Sequence, residues 1–157
     1  MSVLLVLLGG MIGAPARYLA DRAVQARHDS VFPWGTFAVN MIGSLILGFL
    51  LGAQRHLGLP SSAVLLLGTG FCGGLTTFST FGYETLRLLE DGAVGEAGVN
   101  VIGSLVIGVL AAWLGLRLAM ALLAGRRQSR RHQPGRPLPS VLRVTARKVD
   151  CRGNPAV

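Results

Sequence analysis

Residues 68–80 of the chain read GTGFCGGLTTFST, and nine of these thirteen residues are glycine, threonine or serine. The stretch lies inside a long apolar segment, where a lipid-facing helix has little use for such residues. Glycine weakens a helix, and hydroxyl groups at membrane depth need partners that hydrocarbon does not supply. Polar, irregular backbone is tolerated there only against protein or along a water-filled path. The stretch therefore indicates a conduit or an ion site inside a membrane protein.

The composition of the whole chain is typical of a protein that lies largely in lipid. Of its 157 residues, 51% are hydrophobic and 14% are charged, and the mean hydropathy is +0.55. Four apolar segments reach or approach the roughly 20 residues that cross a bilayer core; they cover residues 3–20, 34–53, 59–89 and 97–123. We therefore predict an all-α membrane protein with four transmembrane helices. The first segment lacks the basic start of a signal peptide, so we expect it to be retained.

Charge divides the chain at about residue 125. Residues 1–125 contain six arginines and six acidic residues, whereas residues 126–157 contain nine basic residues and one acid. The second segment is also rich in proline and poor in large apolar residues, so we expect a disordered basic tail after a four-span domain. Such a tail suits anionic lipid headgroups. Nucleic-acid binding has no aromatic or motif support in the tail and is not expected.

The charges of the loops orient the four-span domain poorly. Without the tail, the loops after spans one and three carry three arginines and the side of the termini carries one. With the tail, the positive-inside bias reverses and favours termini in the cytoplasm. A domain with so little bias of its own could insert in both orientations.

An internal repeat organises the spans. Residues 39–50 read VNMIGSLILGFL and residues 99–110 read VNVIGSLVIGVL, with eight identities in twelve positions. The two copies are two spans apart and therefore cross the membrane in the same direction. Many transporters instead contain inverted repeats. Inverted symmetry would here have to come from a second chain.

Small and polar residues recur every four positions in both copies. For Ser44, Gly48, Gly52 and Gly108 the favoured interpretation is helix packing, because small residues at this spacing let membrane helices approach closely. The asparagines Asn40 and Asn100 are different. An amide in a membrane span is costly unless its donors are matched, and it suits an anion or water path.

Span three has a predicted break and a predicted polar face. Gly73 and Gly74 lie at its midpoint, which indicates two half-helices that meet near the bilayer centre. Unwinding there would free carbonyl groups for a cation such as sodium, as broken helices do in transporters. Phe78 and Phe81 follow on one helical face. Isolated phenylalanines usually belong to the core or face lipid, but a ring edge can also face an anion, and the spacing leaves both possibilities open.

Three segments of the chain resemble the fluoride channel family, the small four-span fluoride exporters of bacteria and other microbes. They are GFCGGLTTFSTFGYE (70–84), GGMIGAPARY (9–18) and GTFAVNMIGSLILG (35–48), and the resemblance covers about residues 3–123. It implies an antiparallel, dual-topology homodimer with two fluoride pores built from both chains and a structural sodium ion at the dimer interface. It also implies passive fluoride export across the plasma (inner) membrane, without enzymatic activity.

The resemblance also implies roles for individual residues. Phe78 and Phe81 match the phenylalanines whose ring edges face fluoride, and Asn40 matches the pore asparagine. Gly73 and Thr76 match the positions whose backbone carbonyls bind sodium. The remaining predicted pore residues are Ser79, Thr80, Ser104 and Arg17.

The resemblance leaves the roles of residues at three places undecided. An interfacial anchor is the alternative role for Arg17, because arginines near span ends commonly extend to the headgroups. Glu84 matches the acid that closes the span-three motif, without a firm role. Many relatives place a tyrosine and further hydroxyls along span four, where this chain offers Asn100, Ser104 and Gly108.

Other functions fit these residues less well. The alternative is a four-span, proton-coupled small-molecule exporter, which would need an acid inside a span, but the nearest candidate, Glu84, lies close to the end of span three. A phosphate-binding loop would end in Gly-Lys-Ser/Thr, which residues 68–80 lack. An enzyme is not expected, because the histidines at 28, 56 and 132 lie outside the spans without metal-like spacing.

Overall fold

Residues 1–131 are described by the computed structural model, with side chains up to residue 123. Helix α1 spans Ser2–Gln25 and helix α2 spans Trp34–Leu57. The third span consists of α3 (Ser61–Val64), a π-helical segment (Leu65–Cys72), α4 (Gly73–Leu75) and α5 (Phe78–Glu90). Helix α6 spans Val94–Arg131. The secondary-structure elements of the described residues are thus all helical.

Four of these units are long and apolar enough to cross a membrane: Ser2–Gln25, Trp34–Leu57, Ser61–Glu90 and Val94–Leu123. The prediction of an all-helical, four-span chain is confirmed, and the chain is a multi-pass membrane protein. The observed helices extend a few residues beyond the predicted spans, because charged and polar residues continue the last turns. The predicted basic tail, residues 126–157, lies largely outside the described residues. Only the backbone of residues 126–131 is described.

Tight turns join the spans where glycine permits a left-handed backbone. Helix α2 ends at Gly58, which has a φ of 66° and donates its N–H to the Gln54 carbonyl at 3.0 Å. Gly92, with a φ of 75°, makes the same kind of stop after α5. Glycine adopts this conformation at little cost, so each chain reversal needs only a few residues.

Helix α1 packs against the third span backbone to backbone. A Cβ atom at Gly9 would overlap the Leu66 carbonyl oxygen, and one at Gly13 would overlap the Phe71 carbonyl oxygen. From the other side, a Cβ atom at Gly70 would lie 2.9 Å from the Gly9 Cα atom. Lipid tails are as apolar as leucine, so close van der Waals contact of this kind is what holds membrane helices together.

Helices α2 and α6 cross in the same way. A Cβ atom at Gly48 would overlap the Ala112 carbonyl oxygen, and one at Gly52 would lie 2.7 Å from the Ala119 Cβ atom. The packing interpretation is therefore confirmed for Gly48 and Gly52. Gly108 also faces α2, but less closely: a Cβ atom there would lie 3.4 Å from the end of Met41 and 4.0 Å from the Ser44 hydroxyl oxygen.

The irregular part of the third span lies slightly later than expected. Gly73 and Gly74 are helical, whereas Thr76 and Thr77 are extended, with φ, ψ of −82°, 155° and −148°, 123°. Gly74 serves packing instead: a Cβ atom there would lie 3.1 Å from the Ala14 nitrogen of α1, whereas one at Gly73 would meet nothing within 4 Å. The predicted break, Gly73 to Thr76, therefore meets the extended residues at Thr76, and Gly74 is used for close approach to α1 rather than for unwinding.

Candidate functional site

Asn40 of α2 bonds to both backbone groups of Thr77. The Thr77 N–H donates to Asn40 Oδ1 at 2.8 Å, and Asn40 Nδ2 donates to the Thr77 carbonyl at 3.1 Å. In a continuous helix this N–H would donate to the Gly73 carbonyl. The amide therefore takes over the hydrogen bonds that the extended residues give up. One donor hydrogen of Asn40 remains for another acceptor.

The Thr77 hydroxyl caps helix α5. It accepts the Thr80 N–H at 3.2 Å, which satisfies one of the free donors at a helix start. The same hydroxyl lies 3.1 Å from the Thr80 hydroxyl and 3.2 Å from the Ser79 hydroxyl. Thr77 was absent from the predicted pore residues. Its signal in the sequence was an N-cap threonine directly before the aromatic turn.

Phe78 and Phe81 form a pair on the first turns of α5. Their ring centroids are 5.6 Å apart, with an angle of 42° between the ring planes. Phe78 is 84% exposed within one chain. What covers its ring in the membrane therefore depends on the lipid or protein around the chain. Both rings line a cavity of about 570 Å³.

This cavity, called the phenylalanine cavity below, brings together residues from α2, the third span and α6. Asn40 and Ser104 share its wall with Phe78 and Phe81. Thr76, Thr77, Ser44 and Gly108 also line it. Four of the seven predicted pore residues therefore meet at one cavity, although they come from three different spans.

Two other predicted pore residues line a second cavity of about 240 Å³, called the arginine cavity below. It contains Arg17 and Thr80 together with Thr36, Asp21 and Tyr18. Thr77 lines both the arginine cavity and the phenylalanine cavity. Ser79 lines neither of them and is connected to the site through its contact with the Thr77 hydroxyl.

Arg17 reaches the extended residues from α1. Its Nη1 donates to the Thr76 carbonyl at 3.4 Å. A guanidinium has five donors and carries a permanent positive charge, so it places that charge beside a polar backbone group and a hydroxyl-lined cavity. This contact favours a role at the site over the alternative of an interfacial anchor.

Glu84 lies one helical turn after Phe81 and faces α2. Its Oε1 accepts the Thr36 hydroxyl at 3.0 Å. Its Oε2 is buried without a hydrogen-bond partner among the described residues. Glu84 also lines a small cavity of about 120 Å³ with Asp21, Gln25 and Arg87. The carboxyl group thus lies between the arginine cavity and the end of the span.

The Gly73 carbonyl is available to a cation, whereas the Thr76 carbonyl also accepts from Arg17. Gly73 is exposed, and a Cβ atom there would meet nothing within 4 Å. The Thr77 N–H that a regular helix would direct at the Gly73 carbonyl is turned to Asn40 instead. A carbonyl at the end of a helical segment carries partial negative charge, which suits a hard cation. The residues present therefore fit the predicted sodium site.

Comparison with known proteins shows the family of the chain. Residues 4–116 match the family model described as "CrcB-like protein, Camphor Resistance (CrcB)". The chain belongs to this family. The CrcB-like region covers α1 to α5 and most of the membrane part of α6, so it includes every predicted site residue.

Curated members of the CrcB-like family are close in sequence. "Fluoride-specific ion channel FluC 1" of Streptomyces avermitilis is 56% identical over 124 residues, which cover 79% of this chain and 100% of the relative. A protein of the same name from Frankia casuarinae is 54% identical over 78% of this chain and 98% of the relative. "Fluoride-specific ion channel FluC" of Methanocaldococcus jannaschii is 43% identical over 77% and 96%.

Proposed function

We propose that this chain forms a fluoride-selective channel that exports fluoride passively across the plasma membrane. The observation that carries the proposal is the phenylalanine cavity, where Phe78, Phe81, Asn40 and Ser104 meet. The family membership and the names of the relatives point to the same ion. No nucleotide site is required, because a negative interior drives an anion outward by about 2.3 kcal/mol per charge per 100 mV.

The donors around the two cavities suit a small, tightly hydrated anion. A fluoride path must replace most of the water around the ion while binding it weakly enough to release it. Asn40 offers its second amide hydrogen and Ser104 offers a hydroxyl. The phenyl rings offer edges with partial positive charge. Arg17 and Thr80 would attract the anion into the arginine cavity. Thr77 lines both cavities, so the anion could contact it from either one.

The proposed active form is an antiparallel homodimer. Two features of the chain support it. The repeat is parallel, so inverted symmetry needs a second chain, and the few arginines in the loops of residues 1–125 give little preference for one orientation. Phe78 is 84% exposed within one chain, so a second copy would close the cavity that it lines. In this assembly the third span acts as two half-helices that meet at Thr76 and Thr77.

A structural sodium ion would bind at the backbone carbonyls of exposed Gly73 and half-buried Thr76. When bound, it supplies positive charge to carbonyl groups that a regular helix would have paired. Arg17 already donates to the Thr76 carbonyl, so an ion at this site would share that carbonyl with the guanidinium.

Fluoride efflux from liposomes tests the proposed function. Purified protein in liposomes loaded with potassium fluoride should release fluoride when potassium is allowed to leave, and liposomes loaded with chloride should retain it. Phe78→Ile and Phe81→Ile should each reduce fluoride release, whereas Phe49→Ile on α2 serves as a matched control away from the cavities. Equal release of both anions by the unaltered protein would overturn the proposal.

Labelling of single cysteines tests the proposed assembly. In a variant with Cys72 and Cys151 replaced by alanine, a cysteine introduced at Ala26, in the turn after α1, should react with an impermeant reagent from both sides of the membrane if the chain has dual topology. Labelling from one side only would exclude the antiparallel dimer without bearing on fluoride selectivity.

A further inference from the structure

Asn100 of α6 lies 1% exposed, at the contact between α6 and α5. Its Nδ2 donates to Thr85 Oγ1 at 2.9 Å. The Thr85 hydroxyl in turn donates to the Phe81 carbonyl at 2.7 Å. These two bonds connect α6 directly to the turn of α5 that carries Phe81.

Asn100 is set apart from the cavities of the candidate site. It lines none of the three cavities described above, and its Oδ1 faces the Ser104 hydroxyl at 3.5 Å. An ion in the phenylalanine cavity would meet Ser104 rather than Asn100. The amide therefore does not serve as a direct donor to a permeating anion, which the sequence alone had left open.

Helix α5 has few other attachments along this length. Leu88 is its one buried residue, so most of the helix is exposed within one chain. Its first residues are fixed by Asn40 through Thr77, and the next polar attachments are Glu84 to Thr36 of α2 and Thr85 to Asn100 of α6, seven and eight residues later. Phe78 and Phe81 lie between the first attachment and the two later ones. The angle at which the rings face the cavity thus depends on all three.

We propose that Asn100 is a positioning residue for fluoride conduction, which acts through Thr85 on the backbone of Phe81. The inference rests on the proposed function, because its effect is on the passage of fluoride. An asparagine in a membrane span is costly unless its amide is matched. Here the amide is matched by a hydroxyl that is itself bonded to a pore residue. Loss of that link lets the Phe81 turn shift relative to α6 while the overall fold remains.

Unitary fluoride conductance in planar bilayers separates this role from a purely structural one, since it does not depend on how many channels fold. Asn100→Ala and Thr85→Val should each lower the unitary conductance by about fivefold, the effect of one lost hydrogen bond on a barrier. Thr85→Ser keeps the hydroxyl and should therefore conduct like the unaltered protein. Val99→Ala is the control, because Val99 is 61% exposed beside Asn100 and on another face of α6.

The double variant Asn100→Ala/Thr85→Val decides whether Asn100 acts through Thr85. The unitary conductance of the double variant should be no lower than that of the less conductive single variant, because both changes remove the same link. Unchanged conductance in Asn100→Ala, or a multiplied loss in the double variant, would overturn the inference. If Asn100→Ala fails to fold, the contrast between Thr85→Val and Thr85→Ser still tests the link. A wild-type protein that conducts no fluoride would instead refute the proposed function.

Discussion

The two copies of the internal repeat share eight of twelve residues but occupy different surroundings. In the α2 copy, residues 39–50, Val39, Gly43 and Gly48 are buried between neighbouring helices. In the α6 copy, residues 99–110, Asn100 is the buried residue and the rest is half-buried or exposed within one chain. The same sequence pattern thus forms a central helix in one place and a peripheral helix in the other.

The contrast is clearest at the two asparagines. Asn40 bonds to the backbone of Thr77, where the helix is interrupted, while Asn100 bonds to a side chain on a regular turn of α5. Both hold the helix that carries the phenylalanine pair, one at its start and one further along. The difference teaches that a repeated motif predicts a common helix geometry, whereas the partner of each polar residue depends on the neighbouring span.

The largest difference between the copies is expected at Gly48 and Gly108. Gly48→Val would place a branched side chain against the Ala112 carbonyl oxygen, which is backbone and cannot move aside. We expect a loss of about 3 kcal/mol in the free energy of unfolding and little monodisperse protein. Gly108→Val would meet only the ends of the Met41 and Ser44 side chains and should fold, yet it would narrow the phenylalanine cavity and reduce fluoride release.

Thermal unfolding in detergent, followed by size-exclusion chromatography, compares these two variants. Equal melting temperatures would show that the α2–α6 crossing tolerates separation and that the copies are packed more alike than the structure indicates. Full fluoride release by Gly108→Val would remove Gly108 from the conducting cavity.

A smaller difference is expected between the asparagines. Asn40→Ala leaves both backbone groups of Thr77 without their partner. We expect the free energy of unfolding to fall by about 2 kcal/mol. Asn100→Ala should cost only about 1 kcal/mol, because the Thr85 hydroxyl keeps its bond to the Phe81 carbonyl. Melting temperatures of the two variants measure the order. A reversed order would mean that water satisfies Thr77 as well as Asn40 does.

The sequence predicts the frame of this molecule well, because the frame depends on local properties. Apolar length sets the four spans, and small residues at four-residue spacing mark the crossing at Gly48 and Gly52. The composition of residues 68–80 also marks the region that contains the extended residues. These features can be read from neighbouring residues without knowledge of which helices meet.

The position of the extended residues could not be predicted in this way. Glycine at 73 and 74 weakens a helix locally, yet both residues stay helical, and Gly74 lies against α1. Thr76 and Thr77 are extended because Asn40, 37 residues earlier in the chain, binds the Thr77 backbone. The partner of Asn100 could not be predicted from the sequence either, since its pairing with Thr85 depends on how α5 and α6 lie side by side.

The smallest difference between the copies is expected at their first valines. Val39 is 1% exposed and Val99 is 61% exposed within one chain. Because lipid replaces water around a membrane helix, only packing is lost when a buried valine is shortened. Val39→Ala should therefore cost about 1 kcal/mol and Val99→Ala less than about 0.5 kcal/mol. Melting temperatures in detergent and in lipid nanodiscs should give the same order. A cost at Val99 equal to that at Val39 would place this face of α6 against a second copy of the chain rather than lipid, and the two copies of the repeat would then both be buried in the assembled channel.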